Sequence, residues 1–235
     1  MLGAEGRVVA SDLAERLGVS LDTVRRDLDA LDAAGALRRV RGGALPLVRV
    51  QRDFAARRHD DPAGKDALAA AGASLLPPAG VVCVAGGTTL LSLARRWPAG
   101  FGGTVVTTSP DVALALPPGV EVVLPGGRLH PQARTLVGAE TVEALRGVRA
   151  DVCVLGACSI DPERGLGIVP REEAQVMAAM VAGAARTIAV AGAAKVGHAD
   201  AFQVAPAGAL SVLVTDAPPA ATAPFEALGV EVVRP

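Results

Sequence analysis

"VVCVAGGTTLLSLA", residues 81–94, joins two patterns in one short stretch. An unbroken apolar, β-branched run reads as a strand covered on both faces, and the residues after its glycines take up helical apolar spacing. A strand that ends in Gly86-Gly87 and restarts as a helix at Thr88-Thr89 presents backbone N–H groups and hydroxyls together, which suits an anion. The GK[ST] ending of a P-loop is missing, and the glycine spacing is not GxGxxG. The same residues also fit an ordinary strand-to-helix turn.

Similar runs follow at "TVVTT" (104–108), "VEVVLPGG" (120–127), "DVCVLGA" (151–157), "TIAVAG" (187–192), "SVLVTD" (211–216) and "VEVV" (230–233). Helices are expected between them, notably over 65–76, 89–97, 139–146 and 171–184. Continuous apolar strands alternating with helices predict an α/β domain built on a mainly parallel sheet, whose ligands lie at the carboxyl ends of the strands. Three other strand ends, "TTSPD" (107–111), "PGGRLHPQARTLVG" (125–138) and "AGAAKVG" (191–197), supply small polar residues, glycines and a lysine. Together they fit a pocket for a small phosphorylated ligand. Lys195 also fits a surface position, and His130 and His198 read as loop residues.

Working toward the N-terminus, the composition changes from aliphatic to charged around Asp60-Asp61-Pro62. A linker is therefore expected over 49–62, between a domain at 1–48 and one at 63–235. In the first domain Ser11 can cap a helix that ends at Gly18, and Ser20 a second one that stops at Ala34-Gly35. "ALRRVRGGAL" then reads as a short strand, an Arg-rich stretch and a Gly-Gly turn, the makings of a wing. Seven arginines (38, 39, 41, 49, 52, 57 and 58) against the single acid Asp53 make a local basic patch in a chain whose net charge is only −1. Ser20, Thr23, Arg25 and Arg26 at the start of the second helix, with Arg38, Arg39 and Arg41 of the wing, can meet base edges and phosphates of DNA. Against that stands a solvated helical face balanced by Asp27, Asp29 and Asp32.

Half of the 235 residues are apolar, so a substantial core is available, but four Phe, one Trp and no Tyr leave it to small aliphatic side chains. Cys83, Cys153 and Cys158 lack CxxC spacing and a nearby histidine, and read as reduced, buried thiols rather than metal ligands. No basic-then-apolar leader and no uninterrupted apolar stretch of spanning length is present, which points to a cytoplasmic protein away from membranes.

The segments "VVASDLAERLGVSLDTVRRDLDALDAAGALRRVRGGA", "GGTTLLSLA", "VVTTSPDVALAL", "PGGRLHPQARTLVG", "ADVCVLGACSIDPERGLG", "REEAQVMAAM" and "AKVG" stand in the order and spacing of DeoR-type transcriptional repressors. The chain resembles that family over nearly its whole length. The resemblance implies a winged helix-turn-helix followed by a sensor with the ribose-phosphate isomerase/CoA-transferase type of fold. In that arrangement a sugar phosphate or related effector releases a homo-oligomeric repressor from operator DNA, with no cofactor or metal. Departures from the family pattern lie at Ala85-Gly86 and Gly192, where acids are usual, at Thr108 (usually Asn) and at Ser159 (usually Gly). They put in doubt how sugar hydroxyls are held. On this reading Gly87, Thr88, Thr89, Thr107, Ser109, Gly127, Thr135 and Lys195 bind the ligand. Operator contact falls to Ser20, Thr23, Arg25, Arg26, Arg38 and Arg41.

The alternative is an isomerase or deaminase on the same fold. It needs a base beside the sugar carbon, and with acids missing at 85 and 192 only Glu173 and Asp161 remain for that task. A further expectation concerns the start of the sequence. Only "MLGAEGR" precedes the strand-like "VVAS", although Leu13, Leu17, Val24, Leu28 and Leu31 need the cover of a first helix. The sequence is thus expected to begin inside that helix, and residues 1–45 to pack loosely or to rely on a partner chain.

Overall fold

The structure, a computed structural model, describes residues 8–33, 37–45 and 53–235. The chain divides into two compact units, Met1–Val50 and Gln51–Pro235.

The smaller unit contains β1 (Val8–Val9), α1 (Ala10–Leu17), α2 (Leu21–Ala33), β2 (Arg38–Val40) and β3 (Gly43–Leu45). α1 starts one residue before Ser11 with Val9 in the capping position, so Ser11 lies inside the helix and bonds Asp12 instead of capping. Gly18 ends α1 in a left-handed conformation and returns its N–H to Ala14 and Glu15. Ser20 accepts the Thr23 N–H at 3.1 Å and so caps α2. β2 and β3 form a hairpin around Arg41-Gly42, and β1 adds to the free side of β3. The core is Val8, Ala10, Val24, Leu28, Leu37 and Ala44, with Leu13 packed partly against it. Leu17 and Leu31, expected inside, are 61% and 44% exposed. Both lie at the C-terminal ends of their helices, past the last residues that reach this core. The expectations placed on residues 1–7 and on Ala34-Gly35 lie outside the described residues.

The larger unit begins with α3 (Phe54–Arg57), α4 (Pro62–Ala73), β4 (Ala79–Val84), α5 (Thr88–Ala94), β5 (Gly102–Thr107), α6 (Pro110–Ala115) and β6 (Glu121–Val123). It continues through β7 (Arg128–His130), β8 (Thr135–Val137), α7 (Ala139–Arg146), β9 (Ala150–Gly156), β10 (Ser159–Asp161), β11 (Gly165–Ile168) and α8 (Arg171–Ala182). β12 (Ala184–Val190), β13 (Phe202–Ala205), β14 (Val212–Val214), α9 (Pro219–Glu226) and β15 (Glu231–Val233) complete it. The seven apolar runs of the sequence form one sheet in the order β15-β14-β12-β9-β4-β5-β6, parallel throughout. Consecutive residues along its central strands, Val82, Cys83, Val84 and Cys153, Val154, Leu155, are at most 1% exposed, so both faces are covered. Cys83 and Cys153 lie opposite each other in register. Burial pushes the Cys83 thiol up to about 11 and that of Cys153 well above its usual range, which leaves both as neutral, unreactive core residues.

Two smaller sheets have no counterpart in the sequence reading: the β7–β8 hairpin and an antiparallel sheet of β10, β11 and β13. The described part of the expected linker, residues 53–62, is folded into the larger unit. Phe54 is 1% exposed, and its N–H donates to the Gln132 carbonyl at 2.8 Å. The Lys65 ammonium donates to the carbonyls of Arg57 and Asp60, and Asp61 caps α4 by accepting the Gly64 N–H at 3.0 Å.

Candidate functional site

In the smaller unit, Arg25, Arg26, Arg38 and Arg41 are exposed. Val24 and Leu28 turn inward and fix which side of α2 the arginines occupy. Arg25 lies 3.3 Å from Asp22 in an exposed pair that water and salt weaken, so a phosphate can displace it. Ser20 and Thr23 bond each other at 2.8 Å while capping α2. Arg39 departs from its expected place on DNA: its side chain bonds Asp29 at 2.7 Å and the Gly43 carbonyl at 3.2 Å, and its N–H bonds Asp32. It fastens the hairpin to α2, and two of the three acids read as balancing a solvated face, Asp29 and Asp32, serve that contact. Of the remaining arginines of the patch, Arg49 and Arg52 lie outside the described residues, Arg58 is exposed, and Arg57 lines a cleft of the larger unit.

That cleft, open to solvent, lies where the strand order reverses. The chain runs from β4 outward to β5 and β6, then returns to β9 on the other side of β4. Connections leaving β4 and β9 in opposite directions open a crevice at their carboxyl ends. Its walls are Ala85–Leu90 after β4, Thr108 after β5, Gly156–Cys158 after β9, and Lys195 after β12. Ala133, Thr135 and Leu136 come from the β7–β8 hairpin, and Glu173, Val176 and Met177 from α8.

Local geometry explains these placements. Gly87 has φ 132°, open to glycine but not to side chains, and a Cβ on Gly86 would come within 2.2 Å of Thr135. The hairpin therefore approaches the turn as closely as it does because Gly86 lacks a side chain, while Gly87 supplies the backbone conformation of the turn. Lys195 sits in a single 3-10 turn, Ala193–Lys195. Asp216 accepts the Ala193 N–H at 2.6 Å and the Ile160 carbonyl accepts the Gly197 N–H at 2.8 Å, which fixes the lysine from both sides. Glu173 is 7% exposed, in the first turn of α8, where the helix dipole favours a carboxylate. The Thr135 hydroxyl is buried with no hydrogen-bond partner among the described residues. Burial raises the pKa of the Cys158 thiol; Lys195 and Arg57 act to lower it, while Glu173 and Asp200 act to raise it. Two cations and a carboxylate thus lie within electrostatic reach of one point. Among the described residues no group of histidine, cysteine and acids is arranged to hold a metal.

Five of the eight ligand residues expected from the sequence, Gly87, Thr88, Thr89, Thr135 and Lys195, line this cleft. Three do not. Thr107 accepts the Ser109 N–H at 3.2 Å, and Ser109 caps α6 by accepting the Val112 N–H at 3.4 Å, which leaves Thr108 between them to face the cleft. Gly127 has φ 125°, and a Cβ there would meet the Thr141 hydroxyl at 2.0 Å, so its role is to let the chain pass α7. Arg57 and Cys158 join the cleft without having been assigned to it, and Glu173, named only for the enzymatic alternative, joins them. Asp161, one of the two acids left to an enzymatic reading, accepts the N–H groups of Glu163 and Arg164 at 2.9 and 2.8 Å and holds the β10–β11 turn instead.

Comparison with known proteins covers both units. The model of the DeoR-like helix-turn-helix domain matches residues 1–47, and that of the DeoR C terminal sensor domain matches residues 60–217. The HTH-type transcriptional regulator GlpR of Haloferax volcanii is 34% identical over 91% of this chain and 84% of its own length. The HTH-type transcriptional repressor GlcR of Bacillus subtilis is 31% identical over 92% and 84%. The glycerol-3-phosphate regulon repressor of Escherichia coli is 26% identical over 92% and 86%. Among solved structures, ribose 5-phosphate isomerase A from Methanocaldococcus jannaschii overlaps 55% of this chain and 52% of its own at 14% identity, with a TM-score of only 0.39.

Proposed function

Because this chain belongs to the DeoR family of DNA-binding transcriptional regulators, and not to a family of enzymes, we propose that it is a cytoplasmic repressor whose larger unit takes up a phosphorylated sugar-like metabolite. One observation carries the ligand class. The Gly87-Thr88-Thr89 turn, the Thr135 hydroxyl and Lys195, far apart in sequence, converge on one cleft with the buried carboxylate of Glu173. Glycine amides, hydroxyls and an ammonium suit a phosphate, and a carboxylate suits the hydroxyls of a sugar. The names of relatives such as the glycerol-3-phosphate regulon repressor support the same class. Arg25, Arg26, Arg38 and Arg41 are the operator-contacting residues of this reading, with Ser20 and Thr23 positioning α2. Among the described residues no helix is long and apolar enough to cross a membrane.

The test is a thermal-shift comparison of phosphorylated and unphosphorylated sugars on the full chain, repeated for Lys195→Ala. It is followed by release of DNA fragments that the protein itself selects from a random pool. Sugar phosphates should raise the unfolding temperature, unphosphorylated sugars should not, and the ligand with the largest shift should release the DNA. Equal shifts from both sugar classes, unaffected by Lys195→Ala, would remove this reading.

We also propose that the protein works as a homo-oligomer through α7. Glu140 lies in its first turn and Glu143 past its middle, Arg146 is its last residue and pairs with Glu143 at 3.0 Å, and Arg149 lies just beyond, beside an open groove shared with α8. Two copies crossing antiparallel set the acidic start of each helix against the basic end of the other, as a two-fold interface requires. Arg146→Glu combined with Arg149→Glu should shift the sedimentation of the full chain to a smaller species, and an unchanged profile would exclude this interface.

A further inference from the structure

Arg57, which the sequence groups with a DNA-facing basic patch, stands on the wall of the cleft. It lies on α3, the first described element after the stretch that joins the two units. We infer that Arg57 is an anion-binding residue of the cleft. Through it, an occupied cleft ties down α3, where the chain arrives from the DNA-binding unit. This inference rests on the reading of the cleft as a site for phosphorylated ligands.

Three features of the structure lead there. First, the backbone around Arg57 is held while its side chain is directed at the cleft. The Phe54 N–H is bonded to the Gln132 carbonyl at 2.8 Å, the Phe54 ring is buried, and Lys65 donates to the Arg57 carbonyl at 2.5 Å. Second, Arg57 and Lys195 act on the same buried Cys158 thiol from different segments, so two cations serve one position in the cleft. A phosphate with two negative charges is the ligand that such a pair fits. Third, the β7–β8 hairpin that holds Phe54 also contributes Ala133 and Thr135 to the cleft. A ligand resting on Thr135 and Arg57 touches both partners of the contact that anchors α3.

The length of α3 makes the coupling effective. Four residues cannot form a stable helix on their own, so α3 exists only through its contacts with the rest of the unit. A ligand that bonds Arg57 adds to a small set of contacts and favours the docked state of α3 over any other. Differential binding of that kind is what a ligand needs in order to shift a conformational equilibrium.

The experiment uses the full chain, with inorganic phosphate as the probe. Phosphate affinity is measured by calorimetry, and hydrogen exchange is followed in peptides covering 53–60, whose amides at Phe54, Arg57 and Arg58 bond within the unit. Arg57→Gln should weaken phosphate binding about tenfold or more, the scale of a lost hydrogen bond to a charged group. Phosphate should slow exchange over 53–60 in the unaltered chain and not in Arg57→Gln. Lys195→Gln should also weaken binding, yet at saturating phosphate it should keep the slowed exchange. Arg57→Lys, which retains the charge, should give intermediate affinity and guards against a misfolded Gln variant. If Lys195→Gln loses affinity while Arg57→Gln and Arg57→Lys bind like the unaltered chain, the role of Arg57 is overturned and the cleft reading stands. If the unaltered chain neither binds phosphate nor changes its exchange, both are overturned.

Discussion

The guanidinium of Arg134 lies over the ring of Phe54, 5.2 Å from its centroid. Arg134 reaches that position with φ 56°, a left-handed backbone uncommon outside glycine, and its other side pairs with Asp111 at 3.3 Å. A buried phenyl ring and a cation above it fasten α3 to the tip of the β7–β8 hairpin. Phe54→Ala should cost about 3–5 kcal/mol through the cavity it leaves. Arg134→Met, which keeps the apolar stem, should cost only about 0.5–1 kcal/mol. Urea denaturation of the full chain measures both, and equal small losses would show that Phe54 is not an anchor.

The Thr135 hydroxyl is desolvated without a partner, so its removal separates ligand binding from stability. Thr135→Val keeps the shape and removes an unmet polar group, and should raise stability by about 1 kcal/mol. The same variant should weaken binding of whichever sugar phosphate gives the largest thermal shift. A variant less stable than the original would mean that the hydroxyl is satisfied in solution.

Arg39 and Arg41, two residues apart in the hairpin, should behave oppositely. Arg39→Ala removes its bonds to Asp29 and Gly43, and should lower the unfolding temperature of the smaller unit. Arg41→Ala should leave stability unchanged, weaken DNA binding and reduce its salt slope by about one. Mobility-shift titrations at several salt concentrations, with thermal scans alongside, distinguish the two. If Arg39→Ala alone reduced the salt slope, the assignments would have to be exchanged.

Asp66 links α4 to α5: it accepts from the Ser92 hydroxyl and pairs with Arg96 at 2.9 Å. The Ser92 hydroxyl, and after it Arg96, hold its carboxyl below the ordinary value of 3.8. A depressed folded-state pKa means that the stabilisation is complete above 3.8 and is lost as the pH falls from there through the folded value. Asp66→Asn should therefore lower stability at neutral pH and flatten the acid limb of the stability curve below about pH 4, where the two proteins converge. Identical acid limbs would show that the pair does not contribute.

The parallel sheet was legible because its strands are buried on both faces, which leaves uninterrupted runs such as those at 81–84 and 152–155. The β10–β11–β13 sheet was not. Its strands are three or four residues long, and glycines at 165 and 167 replace the side-chain alternation that marks a half-exposed strand. In the cleft, Gly87, Thr88, Thr89 and Lys195 could be read because strand ends are where ligands gather in such folds. Thr108 was hidden behind Ser109-Pro110-Asp111. A serine followed by proline is itself a capping signature, and reading it as such would have released Ser109 from the ligand list. Glu173 lies on a helix with no local sign of the cleft, and Arg57 sits among arginines that read as one patch, so only the folded chain separates them.

The cleft draws on residues from Arg57 to Lys195, and this order along the chain has a consequence for synthesis. A ribosome passes Leu45, the last described residue of the smaller unit, well before it reaches the last wall of the cleft, which lies 150 positions further on. At about 5–20 residues per second that interval lasts roughly 8 to 30 seconds. Throughout it, every newly made repressor carries a finished surface for DNA and no means of being told to let go.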